Sequence, residues 1–395
     1  MKKKEKEITF LNKKINRRDF IKYGLTGLAG LSLGGYFLNK YFLQKAKGVV
    51  SQDAPTELWK WSKESFYYTK KGESVQCLLC PNKCLLAPGQ RSFCRTRINH
   101  NGKLYALSYG NPCAVHIDPI EKKPLYHFLP ATSIFSIATA GCNFRCLNCQ
   151  NWTISQQRPE DTNNYDLFPD QVVSEAIRYN TKSIAYTYSG PIAFYEYMYD
   201  TAKLAHKHGL RNVWVTQGYM NEKPLRDLAQ HLDAANVDLK HFTEELYSEI
   251  CSGDLQTVLN TLKTLKDENT WFEITNLVIP TINDDMDMIK EMCEWIVKNL
   301  GKDYPLHFSR FVPHYKLTHL PYTPVKTLEQ ARNIALETGI KFVYIGNVPG
   351  HEATNTYCPS CSKVLIERKG YTIIQNNIVD GKCKFCNEPI AGVFT

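Results

Sequence analysis

Beyond its first 48 residues the chain has no excess of charge of either sign, since 36 basic side chains are matched by 36 acidic ones. A body balanced in this way offers no broad phosphate-binding face, which argues against nucleic acid as a partner. Internal repeats and low-complexity tracts are also missing, so a solenoid or a disordered array is excluded. The leader's apolar run, Tyr23–Leu38, is 16 residues long, short of the roughly 20 that a spanning helix needs.

What charge excess exists lies in residues 1–48, where ten Lys and two Arg meet three acids and account for the net +9. Arg17 and Arg18 precede Asp19, Phe20, Ile21 and Lys22, and the Gly-rich apolar run follows. This string resembles a twin-arginine export signal, a route that carries folded, cofactor-loaded proteins. Ala46, Lys47 and Gly48 have the small-residue spacing of a cleavage site, although residues 39–45 separate them from the apolar run. The expected location is therefore membrane-associated, through the N-terminus, or exported, with an uncleaved leader and a cytoplasmic protein as alternatives.

The 395 residues exceed the usual single domain, and with 43% apolar residues the chain can bury a large core. Residues 49–132 read as a cysteine-rich module with its connectors, and the prolines of 111–130 suggest an irregular segment wrapping the surface. From Ser133 short apolar strands alternate with helical stretches. The strands are expected at Ile134–Ala140, Ser183–Tyr188, Asn212–Thr216, Ala235–Leu239, Trp271–Ile279, Leu306–Val312 and Lys341–Ile345. The helices are expected at Pro169–Tyr179, Ile192–His208, Lys223–His231, Glu244–Lys266, Met286–Asn299 and Leu328–Thr338. Strand–helix alternation implies a parallel sheet, and six or seven units imply an α/β fold with an incomplete (β/α)6-type barrel over 133–352. The site is then expected at the C-terminal edge of the strands. Residues 353–395 form a last small module.

Fourteen cysteines are many, and eleven fall into three clusters with metal-ligand spacing. Cys113, Cys251 and Cys293 remain as singles, expected to be buried structural thiols. At the end of the first expected strand, Cys142, Cys146 and Cys149 have C-x3-C-x2-C spacing, and Gly141 lets the backbone turn before them. Three thiolates on one loop can hold three irons of a 4Fe–4S cluster and leave the fourth open. A three-Cys zinc site with a distant fourth ligand is the competing reading.

A C-x3-C-x2-C loop after the first strand of such an array resembles the signature of radical S-adenosylmethionine (radical SAM) enzymes. The ordered strings DPIEKKPLYHFLP, GCNFRC, CQNW, YTYSGP, VTQGY, NVDLK, LVIP, HFSRF, IGNVPGH and NTYCPSC extend the likeness over nearly all of residues 75–395. They are similar to the radical enzyme of the AmmeMemoRadiSam group, itself similar to pyruvate formate-lyase activating enzymes. The resemblance implies that S-adenosyl-L-methionine chelates the open iron. One electron then yields methionine and a 5′-deoxyadenosyl radical that abstracts hydrogen from a small-molecule or protein substrate. It also implies cofactor contacts at Thr187, Tyr188, Ser189 and Gly190, at Asp238 and Lys240, and at His314 near the ribose. Where the related pattern has Asn-Glu before Pro, this chain has Ser189 and Gly190, which removes a carboxylate; Asn148 stands where an aromatic residue is common. Asp238 and Lys240 read equally as an ordinary ion pair, and His314 as a surface histidine.

The remaining clusters read as closed sites. Cys358, Cys361, Cys383 and Cys386 form C-x2-C-x21-C-x2-C, a zinc ribbon, with iron as the alternative metal. Cys77, Cys80, Cys84 and Cys94 form C-x2-C-x3-C-x9-C and suit zinc or an auxiliary iron–sulfur cluster equally. The implied partners are a flavodoxin- or ferredoxin-like electron donor and Memo-like and Amme-like proteins. Two other functions stay open: activation of a glycyl radical enzyme, and an iron–sulfur electron-transfer or metal-binding protein that cleaves no cofactor.

Overall fold

The computed structural model describes residues 58–395, so the leader and its export reading lie outside the described residues. The centre of the fold is one eight-stranded sheet. Its strands are β1 (Ala114–Pro119), β2 (Ser133–Ala138), β3 (Ser183–Tyr186), β4 (Arg211–Thr216), β5 (Ala234–Asp238), β6 (Trp271–Val278), β7 (Leu306–Arg310) and β8 (Val343–Gly346), in that spatial order. Strands β2 to β8 are parallel, and β1 runs antiparallel to β2 along one edge. All seven strands expected from the sequence are present. Because both faces of the sheet are covered, these strands are nearly continuous in apolar side chains, with β3 buried at all four positions.

Six longer helices connect the strands: α1 (Pro169–Arg178), α2 (Tyr195–Lys207), α3 (Glu222–Ala229), α4 (Leu255–Asp267), α5 (Met286–Asn299) and α6 (Val325–Thr338). Each packs an apolar stripe inward, as Val258, Leu259, Leu262 and Leu265 do on α4. Among the described residues no helix is long and apolar enough to cross a membrane.

Two expectations are corrected. The segment 111–130 is not an irregular surface wrap: it supplies β1, ends it at Pro119, and continues through a turn at Ile120–Lys122. Ile120, Leu125, Phe128 and Leu129 then pack against Ile134, Ala185, Val213 and Ala234 near the strand starts. A proline at the last position of an edge strand costs no ladder hydrogen bond, so the prolines were compatible with a strand.

The second correction concerns the helix expected over Glu244–Lys266. It is one short turn (Glu244–Leu246), a π-turn (Tyr247–Cys251) and then α4. Ser252 takes the left-handed conformation at φ 57°, and Asp254 caps α4 by accepting from Thr257 N at 2.8 Å. Ser and Asp bond to nearby backbone and so interrupt an apolar 3.6-residue pattern that otherwise reads straight through.

Before the sheet, short antiparallel strands carry the first cysteine module: Tyr68–Lys71, Ser74–Cys77 and Leu85–Leu86 form one ladder, and Lys63–Glu64, Arg97–His100 and Lys103–Ala106 another. After it, Val364–Lys369 pairs with Thr356–Tyr357 and Thr372–Asn376 to make the last module.

Candidate functional site

The loop after β2 turns at Gly141, whose φ is +94°. A side chain there would overlap the Thr96 methyl and lie 2.6 Å from the Cys94 carbonyl oxygen, so only glycine fits. Cys142 and Cys146 follow, both buried, and Cys149 is half-buried. The loop is fastened on both sides by backbone bonds: Arg145 N and Leu147 N donate to the carbonyls of Cys251 (2.8 Å) and Ile250 (3.0 Å), and Lys316 N donates to Leu147 O (3.0 Å). From within, the Arg145 guanidinium donates to the carbonyls of Cys142 (3.0 Å), Phe144 (2.9 Å) and Phe93.

The thiols themselves receive donors. Phe144 N lies 3.4 Å and Gln217 Nε2 3.7 Å from Cys142 Sγ, and Ser155 Oγ lies 3.1 Å from Cys149 Sγ. Burial pushes the Cys142 thiol up to about 12, with the neighbouring Cys146 adding to the effect, and raises Cys149 as well. Cys146 moves the other way, because the Cys251 thiol hydrogen-bonds to it and Lys240 lies close. Cys251 is therefore not the isolated structural thiol expected from the sequence. The π-turn carries it against Cys146, a contact that no spacing rule could reveal.

The segment after β3 closes over the cysteine loop. Thr187 N donates to Ile137 O at 3.1 Å, Ser189 N to Thr187 O at 2.8 Å, and Gly190 N to Gly141 O at 3.2 Å. Tyr188 sits at φ 63°, uncommon for a bulky residue. Its hydroxyl donates to Asp118, which also pairs with Lys123 (2.5 Å) and Lys122 (2.8 Å). Gly190 presses on Cys142: a Cβ there would stand 2.6 Å from its Sγ and 2.9 Å from its Cα. Asp238 ends β5 and pairs with Lys240 at 2.7 Å. Although burial opposes the Lys240 charge, Asp238 and the thiols of Cys146 and Cys251 raise it well above the usual lysine range. His314 is half-buried on the loop after β7, next to Tyr315, whose ring stacks on Trp152 at 5.3 Å.

The arrangement can be tested against the groups such a loop would hold. Zn–S bonds of about 2.3 Å bring thiolates to within ~3.8 Å of one another. Among the described residues, the quartet Cys358, Cys361, Cys383 and Cys386 is the set whose ligand atoms all lie within 4.8 Å, with Sγ pairs at 3.5 and 3.8 Å. Cys142, Cys146 and Cys149 are not drawn together in this way, as three corners of a multi-iron cluster would not be. Buried polar atoms without partners also lie on these segments: Asn148 Oδ1, Ser189 Oγ and His241 Nδ1. Unpaired buried polar atoms are costly and suit a polar ligand. The residues fit an iron–sulfur cluster with a polar cofactor beside it.

Comparison with known proteins gives the class. The model of the radical SAM superfamily matches residues 136–296. The uncharacterized protein MJ0808 of Methanocaldococcus jannaschii is 47% identical over 331 residues, 83% of this chain and 98% of that protein. The pyruvate formate-lyase-activating enzyme of Staphylococcus epidermidis is 23% identical over 54% of this chain and 90% of its own length. Among solved structures, a domain of the pyruvate-formate lyase-activating enzyme from Bacteroides vulgatus matches at 15% identity, 42% of this chain and 99% of that one, with a TM-score of 0.37. The chain belongs to the radical SAM superfamily. Its members are generally enzymes, and membership implies a 4Fe–4S cluster, S-adenosylmethionine and an electron donor.

Proposed function

We propose that this chain is a radical SAM enzyme of the AmmeMemoRadiSam type, acting at the C-terminal edge of a partial barrel formed by β1–β8. The single observation that carries this reading is the cysteine loop after β2, over which Gly190 closes. Cys142, Cys146 and Cys149 would hold three irons of a 4Fe–4S cluster. With S-adenosylmethionine bound, the cluster supplies one-electron cleavage to methionine and a 5′-deoxyadenosyl radical that takes hydrogen from substrate.

The chain's own residues then have definite work. Gly190 keeps a side chain out of the space beside Cys142, Gly141 lets the loop pass close to Thr96 and Cys94, and Gln217 and the Phe144 amide donate to the Cys142 sulfur. Hydrogen bonds to cluster sulfurs tune reduction potential. Thr187, Tyr188 and Ser189 present the turn that faces the methionine portion, and the buried, unpartnered Ser189 Oγ beside Gly190 offers a hydroxyl where the family's carboxylate is missing. Asp238 and Lys240 form a charged pair against its amino and carboxylate groups, and His314 lies on the ribose side.

Outside the barrel, we assign zinc to Cys358, Cys361, Cys383 and Cys386, whose tight spacing supports a single ion. The leader keeps its reading as a twin-arginine signal, residues 133–352 theirs as the barrel, to which 49–132 lends the edge strand β1, and the rest of 49–132 and residues 353–395 theirs as flanking modules. The electron donor is a reduced flavodoxin- or ferredoxin-like protein, and Memo-like and Amme-like proteins are the expected companions. Activation of a glycyl radical enzyme is the second reading, favoured by the likeness to pyruvate formate-lyase-activating enzymes over 90% of one such enzyme's length.

The test is anaerobic incubation of the iron-reconstituted chain with dithionite and S-adenosylmethionine, read by mass spectrometry. 5′-Deoxyadenosine from the native chain, and none from a Cys142→Ala, Cys146→Ala, Cys149→Ala protein, is expected. Absence of product from a reducible native protein would sink the reading.

A further inference from the structure

The first cysteine module has a geometry of its own. Cys77 ends a strand, and its amide donates to Cys84 O at 3.0 Å, folding the intervening turn back on itself. Cys80 and Cys94 are buried with Cys77, and Cys84 is half-buried. All four thiols line one small cavity of about 10 Å³, together with Arg97 and Asn143. They surround it without collapsing onto one another: among the described residues, only the C-terminal quartet has ligand atoms gathered within 4.8 Å. The same chain thus carries two four-cysteine sites of different size. One is closed at the spacing a single tetrahedral ion imposes. The other is held open around a void.

Donors around these thiols point to an anionic, sulfur-rich occupant. Arg97 is 1% exposed; its two terminal nitrogens take Glu196 at 2.9 and 2.8 Å, and one also reaches Ser65. Its Nε is buried without any partner. A buried guanidinium N–H left over on the wall of a thiol-lined space lacks only an acceptor. The sulfurs are also met by Phe93 N at 3.4 Å from Cys84 Sγ and by Ser92 Oγ at 3.0 Å from Cys94 Sγ. Such donors are the means by which proteins set the charge and potential of iron–sulfur clusters.

We propose that Cys77, Cys80, Cys84 and Cys94 hold a second 4Fe–4S cluster, not zinc. This cluster is packed loop to loop against the first site. The Cys94 carbonyl abuts Gly141, the residue before Cys142. Asn82 Nδ2 donates to Asn143 O at 3.1 Å, and Asn143 Oδ1 accepts from the same Gln217 that meets Cys142 Sγ.

The experiment uses the full chain carrying Cys142→Ala, Cys146→Ala and Cys149→Ala, reconstituted anaerobically with ferrous iron and sulfide. About four irons and four sulfides per chain are expected, together with about one zinc from the C-terminal site. Adding Cys77→Ala and Cys80→Ala should remove the iron and leave the zinc, which serves as the folding control. About two zinc and no sulfide per chain, or a first module with neither metal, would overturn the proposal. Should the five-fold variant not fold, Cys84→Ser alone in the triple variant keeps the question open to measurement. A changed electron paramagnetic resonance signal of the reduced protein is expected from it, and an unchanged iron signal counts against these ligands.

Discussion

Single residues around Cys142 are constrained by space more than by charge. Gly190 has an ordinary negative φ of −86°, so backbone freedom does not demand glycine there. The demand comes from the 2.6 Å approach to Cys142 Sγ, with Gln217 Nε2 at 3.0 Å on another side. Gly190→Ala must displace a ligand thiol or the strand-end turn, an overpacking that costs about 1–3 kcal/mol. Iron falling from about eight toward about four per chain is expected, with the C-terminal zinc retained; equal iron in both proteins would show that the turn yields freely. Sequence patterning made the three cysteines legible, because C-x3-C-x2-C is local. It left Cys251 unread, because the Cys146 contact spans more than a hundred residues.

At the scale of an element, the broken helix at 244–267 decides how the cysteine loop is braced. Ser252 and Asp254 end one segment and cap the next, and Gly253 packs where a Cβ would overlap the Phe144 ring. The break lets Ile250 and Cys251 present carbonyls to Leu147 and Arg145. Gly253→Ala is expected to lower the thermal midpoint by the equivalent of about 1–3 kcal/mol and to speed iron loss to a chelator. Ser252→Gly relieves a left-handed conformation and should be neutral or slightly stabilising. If Gly253→Ala loses iron at the native rate, the brace plays no part in holding the loop.

Across the whole molecule, His127 ties the last residues to the sheet. Its ring nitrogens meet Ala391 O and Tyr344 Oη, each at 2.6 Å, and its amide donates to Glu273 at 2.7 Å. Burial lowers its pKa to about 4, with Glu273 opposing and Arg368 and His307 assisting. An unfolded histidine titrates near 6.5, so between pH 6.5 and 4 the unfolded chain binds the extra proton. Stability from this group is therefore complete above about pH 6.5 and lost as pH falls through 4, amounting to about 3 kcal/mol. His127→Gln should flatten the fall of the thermal midpoint over that window. An unchanged slope would assign it to other groups.

Local chemistry determined much of this protein on its own. Ligand spacings, the alternation of apolar strands with amphipathic helices, and the order of short motifs all depend on neighbours a few residues apart, and they gave the class, the sheet and the three cysteine groups. The tertiary structure decided what local pattern could not carry: that residues 114–119 join the sheet edge, that Cys251 meets Cys146, and that Gly190 covers Cys142. It also decided that one four-cysteine site is closed while the other stands open. The reason is physical: whether four thiols converge on one ion or surround a cluster depends on what packs behind them, and here Arg97, Glu196 and Asn143 come from segments far apart in the chain.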